Sequence, residues 1–491
     1  MNIAIFSHVP IWTAHHAESV EIALDEANQG NKVFYISCDE NVSGCPANPL
    51  KKKYLCNICQ RQTRHSEKKI LIHTNIFPEK LDLSNYSNSL SYKFESYSDL
   101  QSFRYKGISL GNLVYSTLVT ELNDSFFSTY KYRNRIEELL NNSISIYENS
   151  MIFFNKKDIH KAYAWNGRRS SDGAFLMAAK SKGINYSPFI SGGGYNKILV
   201  RDNSDTVHDI PKAINEIKEI KRRLEDKKYA SKLKKRAEDF FNVASGQSIN
   251  RAEKKEINYL GYYQFSSKYK RNKKFYSNFK GKKIISAFTG TYSEFAGVEG
   301  YDTSNDFCKD FYEGISYLHK QDKISSNEVL VVRWHPNSRH IKGNERKKMM
   351  DLINNSPKNV FHVPPDSDFD SYELIENSEK IICFGSSISV EASLRRKSVI
   401  FIGRNMFQDL SCFERAEKYE DIDNFLKNNE KKLDYLDALS WGAYFSSFGN
   451  KEFRFVKQVS PKVFTYKNTQ LKSLEMRILS FIRYTLRFFN F

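Results

Sequence analysis

Glu328-Val329-Leu330-Val331-Val332-Arg333-Trp334-His335-Pro336-Asn337 is the stretch that decides the fold reading. An unbroken β-branched run ending in His-Pro reads as a buried parallel strand that opens into a loop. Fifty residues after His335 the arrangement recurs: Lys380–Phe384 leads into Gly385-Ser386-Ser387-Ile388-Ser389-Val390-Glu391-Ala392, a serine-rich loop followed by a helical pattern. Ligands of open α/β sheets collect at such strand-to-helix edges, so two such loops in one half of the chain suggest a nucleotide-sugar site.

The same alternation continues on either side. Lys282–Phe288 reads as a strand, Thr289 to Glu294 as its loop, 305–321 as a helical region, and Val360–Val363 and Ser398–Gly403 as further strands. The first half opens with a strand over Asn2–His8, a helix from Ala14 to Asn28 stopped by Gly30, and a strand over Lys32–Ser37. Helical stretches follow over 110–123 and 128–154, then a strand over Lys161–Asn166, the loop Asn166-Gly167-Arg168-Arg169-Ser170, and a helix over Ser171–Lys182. Two charged helices between Pro211 and Val243 read as the end of this half, with 245–248 as a linker. At 491 residues the chain is too long for one ordinary core. The pattern predicts an α/β protein with two Rossmann-like domains, 1–248 and 249–450, and a C-terminal extension over 451–491.

The formal charge of +18 favours an anionic partner: nucleic acid, a membrane surface or a phosphorylated substrate. Much of the excess lies in Lys218–Arg236 and Lys268–Lys283; the first run is interleaved with Glu216, Glu219, Glu225 and Asp226 at the spacing of a solvated helix face. No apolar run approaches the roughly 18 residues that span a bilayer, and the opening Met1–Ser7 lacks the positive start of a signal peptide, so a cytoplasmic location is expected. Near the C-terminus Arg477, Ser480, Arg483 and Arg487 gather on one side of a helical wheel, and Leu474, Ile478, Phe481, Ile482, Leu486 and Phe489 on the other. That pattern fits a helix lying in an anionic membrane interface, and equally a last helix packed on the protein's own core.

Four of the seven cysteines, Cys38, Cys45, Cys56 and Cys59, mark an expected insertion over 38–65. Cys56-Asn57-Ile58-Cys59 has the gap of a zinc knuckle, and in a reducing cytoplasm a structural zinc is one reading. Ordinary reduced thiols are the other, because the gap from Cys38 to Cys45 is wide for a metal site. No redox cofactor is expected.

Cleavage of an activated sugar builds negative charge on the departing phosphate, which something must stabilise. His335 at a strand end can donate to a phosphate oxygen. Ser386, Ser387 and Ser389 can add hydroxyls beside the free N–H groups that follow Gly385. Arg333, on the same side of its strand as His335, can neutralise phosphate, and Glu391 can accept from ribose hydroxyls. Thr289, Gly290, Glu294 and Pro336 complete the expected donor side. An acceptor hydroxyl needs a base, for which His16, Glu18 and Asp172 are the candidates; acidic residues at helix starts also serve merely as caps. A zinc-containing nucleic-acid binder leaves the two strand-end loops unexplained, so no nucleic-acid partner is expected.

As a set, Arg333-Trp334-His335-Pro336-Asn337, Asp370-Ser371-Tyr372 with Leu374-Ile375, Phe384–Ser387 through Glu391-Ala392, and Val399-Ile400 with Ile402-Gly403 resemble the bacterial capsule and surface polysaccharide biosynthesis proteins. Asn166-Gly167-Arg168 and Cys45-Pro46 with Asn48-Pro49 extend the resemblance into the first half. It implies a GT-B-type glycosyltransferase: two Rossmann-like domains facing a cleft, nucleotide-sugar donor in the C-terminal one, acceptor in the N-terminal one near Asn166 and Arg168. The His-Pro and Ser-Ser loops are similar to those of enzymes with CMP-linked donors. The implied acceptor is a lipid-linked or growing capsule or O-antigen polysaccharide at the inner face of the cytoplasmic membrane, reached through the C-terminal helix. A polyol-phosphate transferase, a nucleotide-sugar epimerase or a non-catalytic assembly partner would share the fold.

Overall fold

The computed structural model describes residues 1–38, 40, 42, 45, 47–70, 73–81, 83, 91–194, 196–245, 270–301, 307–320, 323–428, 434–460 and 463–478. It divides into two compact units: Met1–Glu121 with Ser128–Asp209 and Phe448–Phe491, and Leu122–Phe127 with Ile210–Ser447.

The first unit is built on β1 (Asn2–Phe6), β2 (Lys32–Ser37), β3 (Ile76–Lys80), β4 (Lys161–Trp165), β5 (Asn185–Ser191) and β6 (Lys197–Val200). Its helices are α1 (Thr13–Asn28), α2 (Lys53–Ile70), α3 (Tyr97–Ser102), α4 (Leu110–Leu122), α5 (Arg133–Lys156) and α6 (Ser170–Ser181). With β13 (Lys451–Glu452) the sheet runs β13-β6-β5-β4-β1-β2-β3, parallel from β5 to β3 and antiparallel at the β6 and β13 edge. Helices cover both faces, which is why Ile3, Ala4 and Ile5 are all fully buried and β1 shows no alternation. The cysteine segment is no insertion beyond residue 52. α2 forms within the connection between β2 and β3, and because those strands pair in parallel they require such a crossover.

The expected C-terminal extension completes this first unit. β14 (Val456–Ser460), β15 (Val463–Tyr466) and β16 (Thr469–Gln470) form a small antiparallel sheet, and Val456, Phe464, Tyr466 and Leu471 share a core with α1 and β1. This return covers Glu21 and Asp25 on the second face of α1. Glu21 accepts from the amides of Arg454 at 2.6 Å, Phe455 at 3.1 Å and Val456 at 2.7 Å, and Asp25 pairs with Lys451 at 2.6 Å. Of the C-terminal amphipathic pattern only Leu474 to Ile478 is described, as helix with Leu474 and Ile478 exposed; Ser480 to Phe489 lie outside the described residues. Among the described residues no helix is long and apolar enough to cross a membrane.

The second unit contains α7 (Ile210–Glu225), α8 (Lys227–Ala244), α9 (Lys273–Ser277), β7 (Lys283–Thr289), α10 (Phe311–Leu318), β8 (Glu328–Arg333), α11 (Gly343–Asn354) and β9 (Val360–Val363). It continues with α12 (Ser371–Asn377), β10 (Lys380–Phe384), α13 (Ile388–Leu394), β11 (Ser398–Ile402), β12 (Glu414–Arg415), α14 (Tyr419–Lys427) and α15 (Tyr435–Phe445). Its wholly parallel sheet has the order β12-β11-β10-β7-β8-β9. Leu330, Val332, Ile382, Phe384, Ile400 and Ile402 alternate into one core. The chain therefore folds as two α/β Rossmann-like units, but the sequence boundary at 248 is misplaced. α7 and α8 belong to the second unit because their apolar stripes pack on α15: Leu224, Ala237, Leu439 and Ala443 form one cluster, and Lys221 pairs with Asp434 at 2.9 Å and Asp437 at 2.5 Å. The linker residues 246–248 lie outside the described residues.

Candidate functional site

In a parallel sheet the crevice opens where strand order reverses, at the carboxyl ends of the strands. In the first unit that place is between β1 and β4. Ser7 and His8 follow β1, Trp165 ends β4, and Arg169 and Asp172 stand at the start of α6. A cavity of about 20 Å³ lies there, lined by Ser7, His8, Trp12, His15, Trp165 and Asp172 among others. It has room for one water-sized group.

His8 is 4% exposed, and its ring stacks on Phe6 with centroids 4.6 Å apart. Nδ1 of His8 lies 3.3 Å from Oδ1 of Asp172, which is fully buried, while Nε2 has no hydrogen-bond partner. Burial pushes the Asp172 carboxyl up to about 7, with the Arg169 charge opposing the shift. Burial, then the same Arg169, pushes His8 down to about 3. The imidazole is thus neutral, and once Asp172 ionises the ring proton belongs on Nδ1, leaving Nε2 as an acceptor.

The three expected bases divide. Asp172 is in the cavity. His16 also lines it, but Nε2 is 2.6 Å from Ser66 Oγ and Nδ1 is 3.3 Å from the Tyr35 hydroxyl, so both nitrogens are engaged in tying α1 to α2 and β2. Glu18 is 1% exposed; it accepts from the Ser191 hydroxyl and lies 3.5 Å from His15 Nδ1. Asn166 and Arg168 are buried as well. Asn166 and Gly167 take φ of 60° and 86°, the left-handed turn that Asn-Gly serves. That turn directs Arg168 onto Ser116 Oγ at 3.3 Å, and the next residue, Arg169, stands over the rings of Trp12 and Trp165 at 5.0 and 5.2 Å. Sequence reasoning missed His8, Trp12, His15, Trp165 and Arg169. His8 carried the signal already used for His335, a histidine just past a parallel strand.

In the second unit the reversal falls between β7 and β10. The expected donor residues do collect at the carboxyl ends of β7, β8 and β10. Thr289 Oγ1 accepts from the His335 amide at 2.9 Å, tying the first two loops. Nδ1 of His335 accepts from the Asn337 amide at 3.2 Å, which places the proton of the neutral ring on Nε2, and Asn337 in turn donates to Glu294 at 2.6 Å. Pro336 begins the short 3-10 turn that follows. Gly385 takes φ 63° as the chain leaves β10, and Gly290 follows β7 directly.

Four of the other residues are committed to the protein itself. Arg333 is 1% exposed and donates to the Pro364 carbonyl at 2.5 Å and Ser371 Oγ at 3.3 Å. Glu391 is 2% exposed, accepts from Tyr372 and from Ser387 Oγ at 3.2 Å, and is raised by burial. Ser389 donates back to the Ser386 carbonyl at 3.0 Å, and Ser386 Oγ accepts from the Ile388 amide at 3.4 Å. Burial of Arg333 and Glu391 removes them from direct contact with phosphate and ribose.

All seven cysteines are free. Burial pushes the Cys45 thiol up to about 12 and raises Cys59, and Cys38, Cys45 and Cys56 lie near enough to raise Cys59 further. Among the described residues no group of three or more His, Cys, Asp or Glu side chains is arranged to hold a metal ion.

No protein-family model matches the chain, and no curated relative does. Among solved structures it is similar to the Thermosulfurimonas dismutans KpsC beta Kdo 2,4 transferase, at 9% identity over 58% of this chain and 79% of that one, TM-score 0.34. It is also similar to the beta Kdo 2,7 transferase of the same KpsC, at 13% identity over 60% and 80%, TM-score 0.33, and to a UDP-GlcNAc 2-epimerase from Neisseria meningitidis, at 12% identity over 89% and 97%, TM-score 0.23. Likenesses this distant carry no residue roles across.

Proposed function

We propose that the protein is a glycosyltransferase that moves a sugar from a nucleotide-activated donor to a hydroxyl of a polysaccharide acceptor. The observation that carries the reading is His8: a buried imidazole whose Nδ1 lies 3.3 Å from Asp172 Oδ1, whose Nε2 has no partner, and beside which lies a hydroxyl-sized cavity. In the proposed reaction the acceptor hydroxyl passes its proton to His8 Nε2 as its oxygen bonds to the anomeric carbon. The bond from that carbon to the donor phosphate breaks, and the electron pair leaves with the phosphate. Asp172 holds the ring tautomer and stabilises the imidazolium. For binding the donor phosphate in the second unit we propose His335, whose Nε2 carries a proton.

A CMP-linked donor and a lipid-linked or growing capsule or O-antigen acceptor are the finer form of this proposal, supported by the sequence resemblance. Attachment to the inner membrane face through the C-terminal helix belongs to it too, supported by the basic and apolar pattern from Leu474 onward.

The test is nucleotide release by the purified protein with CMP-, UDP- and GDP-sugars and an oligosaccharide acceptor. His8→Ala should lower turnover by about 10²–10⁴ while nucleotide affinity is kept, and His335→Ala should weaken nucleotide binding. Equal turnover of wild type and His8→Ala would overturn the assignment.

A further inference from the structure

Arg169 has a surrounding that the transfer chemistry does not use. Its guanidinium carbon sits 5.0 Å from the Trp12 ring and 5.2 Å from the Trp165 ring, and the two indoles meet edge to face at 5.3 Å. His15 closes the group, 4.0 Å from Trp165. Two aromatic faces fix the guanidinium plane without occupying its donors. The buried Nε has no hydrogen-bond partner.

The charges of Asp172 and Glu121 act on Arg169, but neither carboxylate pairs with it directly. Glu121 takes both its bonds from Arg135, at 2.8 and 3.1 Å, and Asp172 faces His8. The hydroxyls of Ser170 and Ser171 beside Arg169 are fully buried and unpartnered. They stand at the start of the twelve-residue helix α6, whose first turn favours negative charge. A half-buried cation with fixed, unused donors costs desolvation that no direct ion pair offsets; an anion supplied from outside would offset it.

The geometry points to Arg169, between Trp12 and Trp165, as an anchor for an anionic group, a carboxylate or a phosphate, on the acceptor glycan. The inference rests on reading the first unit as the acceptor side, and it narrows the acceptor to a charged sugar or a sugar phosphate.

Trp12 and Trp165 are two of four tryptophans and Trp334 adjoins His335, so a change in intrinsic fluorescence is assigned to this site when it is lost in Arg169→Gln rather than in His335→Ala. The full-length protein would be titrated with glucuronate, glucose 1-phosphate and, as neutral control, glucose, in wild type, Arg169→Gln, Arg169→Lys and His335→Ala. The expected result is saturable quenching by glucuronate or by glucose 1-phosphate, the preferred one naming the anion. Glucose should give none, Arg169→Gln at least a tenfold weaker response, and Arg169→Lys an intermediate one. Equal responses to glucose and the charged sugars would overturn the inference. So would binding that survives Arg169→Gln but falls in His335→Ala, which would put the anion in the second unit. The assay needs no turnover, so it stands or falls separately from the His8 test.

Discussion

Nδ1 of His8 lies 3.3 Å from Oδ1 of Asp172, and the two residues meet because β1 and β4, far apart in sequence, are neighbours in the sheet. A buried pair of this kind ties activity to pH through its acid. The base form needs neutral His8 and ionised Asp172, and the Asp172 carboxyl is pushed up to about 7 by burial. Turnover should therefore rise with pH through about 7 and then level off, and Asp172→Asn should remove that limb and lower turnover by about 10²–10⁴. The check is kcat/KM for both proteins from about pH 5.5 to 8.5; a wild-type profile without the limb would contradict the pair's role.

The same shift bears on stability with the opposite sense. Asp172 has a folded pKa above its ordinary value of 3.8, so between that value and about 7 the folded state holds a proton the unfolded state has lost. Its favourable contribution is fully present below about 4 and is lost as pH rises through 7, a change on the order of a few kcal/mol. Relative to Asp172→Asn, the wild type should lose urea resistance between about pH 5 and pH 8. Parallel denaturation midpoints for the two proteins across that interval would rule this out.

Strands and helices whose partners lie close in sequence were legible. β8 and β10 carry the apolar runs of buried strands, and α6 starts within one residue of the expected position. What failed depended on distant partners. α7 and α8 have apolar stripes that fit either unit, and only α15, some two hundred residues on, decides between them. Glu21 and Asp25 of α1 are matched only by Lys451 to Val456, more than four hundred positions on. At the site, two left-handed residues, Asn166 and Gly167, decide which of two adjacent arginines is sealed inside, and nothing in their composition distinguishes Arg168 from Arg169.

Glu21 tests how firmly the returning segment is held. Its carboxylate takes three backbone amides, from Arg454, Phe455 and Val456. Removing it leaves three donors without that acceptor, at about 1–3 kcal/mol each where water cannot reach them. Glu21→Ala should cost roughly 3 kcal/mol or more in thermal or urea unfolding and should open the chain near residue 450 to limited proteolysis before the rest of the protein unfolds. A proteolysis pattern like that of the wild type would show that the hydrophobic contacts of Val456, Phe464 and Leu471 suffice without it.

Gly167 and Gly183 form a matched pair for the turn that sets up Arg169 and Asp172. Both have positive φ, 86° and 69°, so alanine carries a similar conformational penalty of about 1 kcal/mol at each. They differ in surroundings. A Cβ at Gly167 would lie 2.3 Å from the Asp205 carbonyl oxygen, whereas one at Gly183 would have nothing within 4 Å. Gly167→Ala must push the loop off Asp205 and should cost roughly 2–4 kcal/mol, against about 1 kcal/mol for Gly183→Ala. The displaced loop leads into α6, so Gly167→Ala should also lower turnover while the nucleotide binding proposed for the second unit is kept. Urea unfolding and nucleotide titration on the two variants separate the outcomes: equal stability losses would mean that the turn's conformation, and not its approach to Asp205, fixes the position of the site.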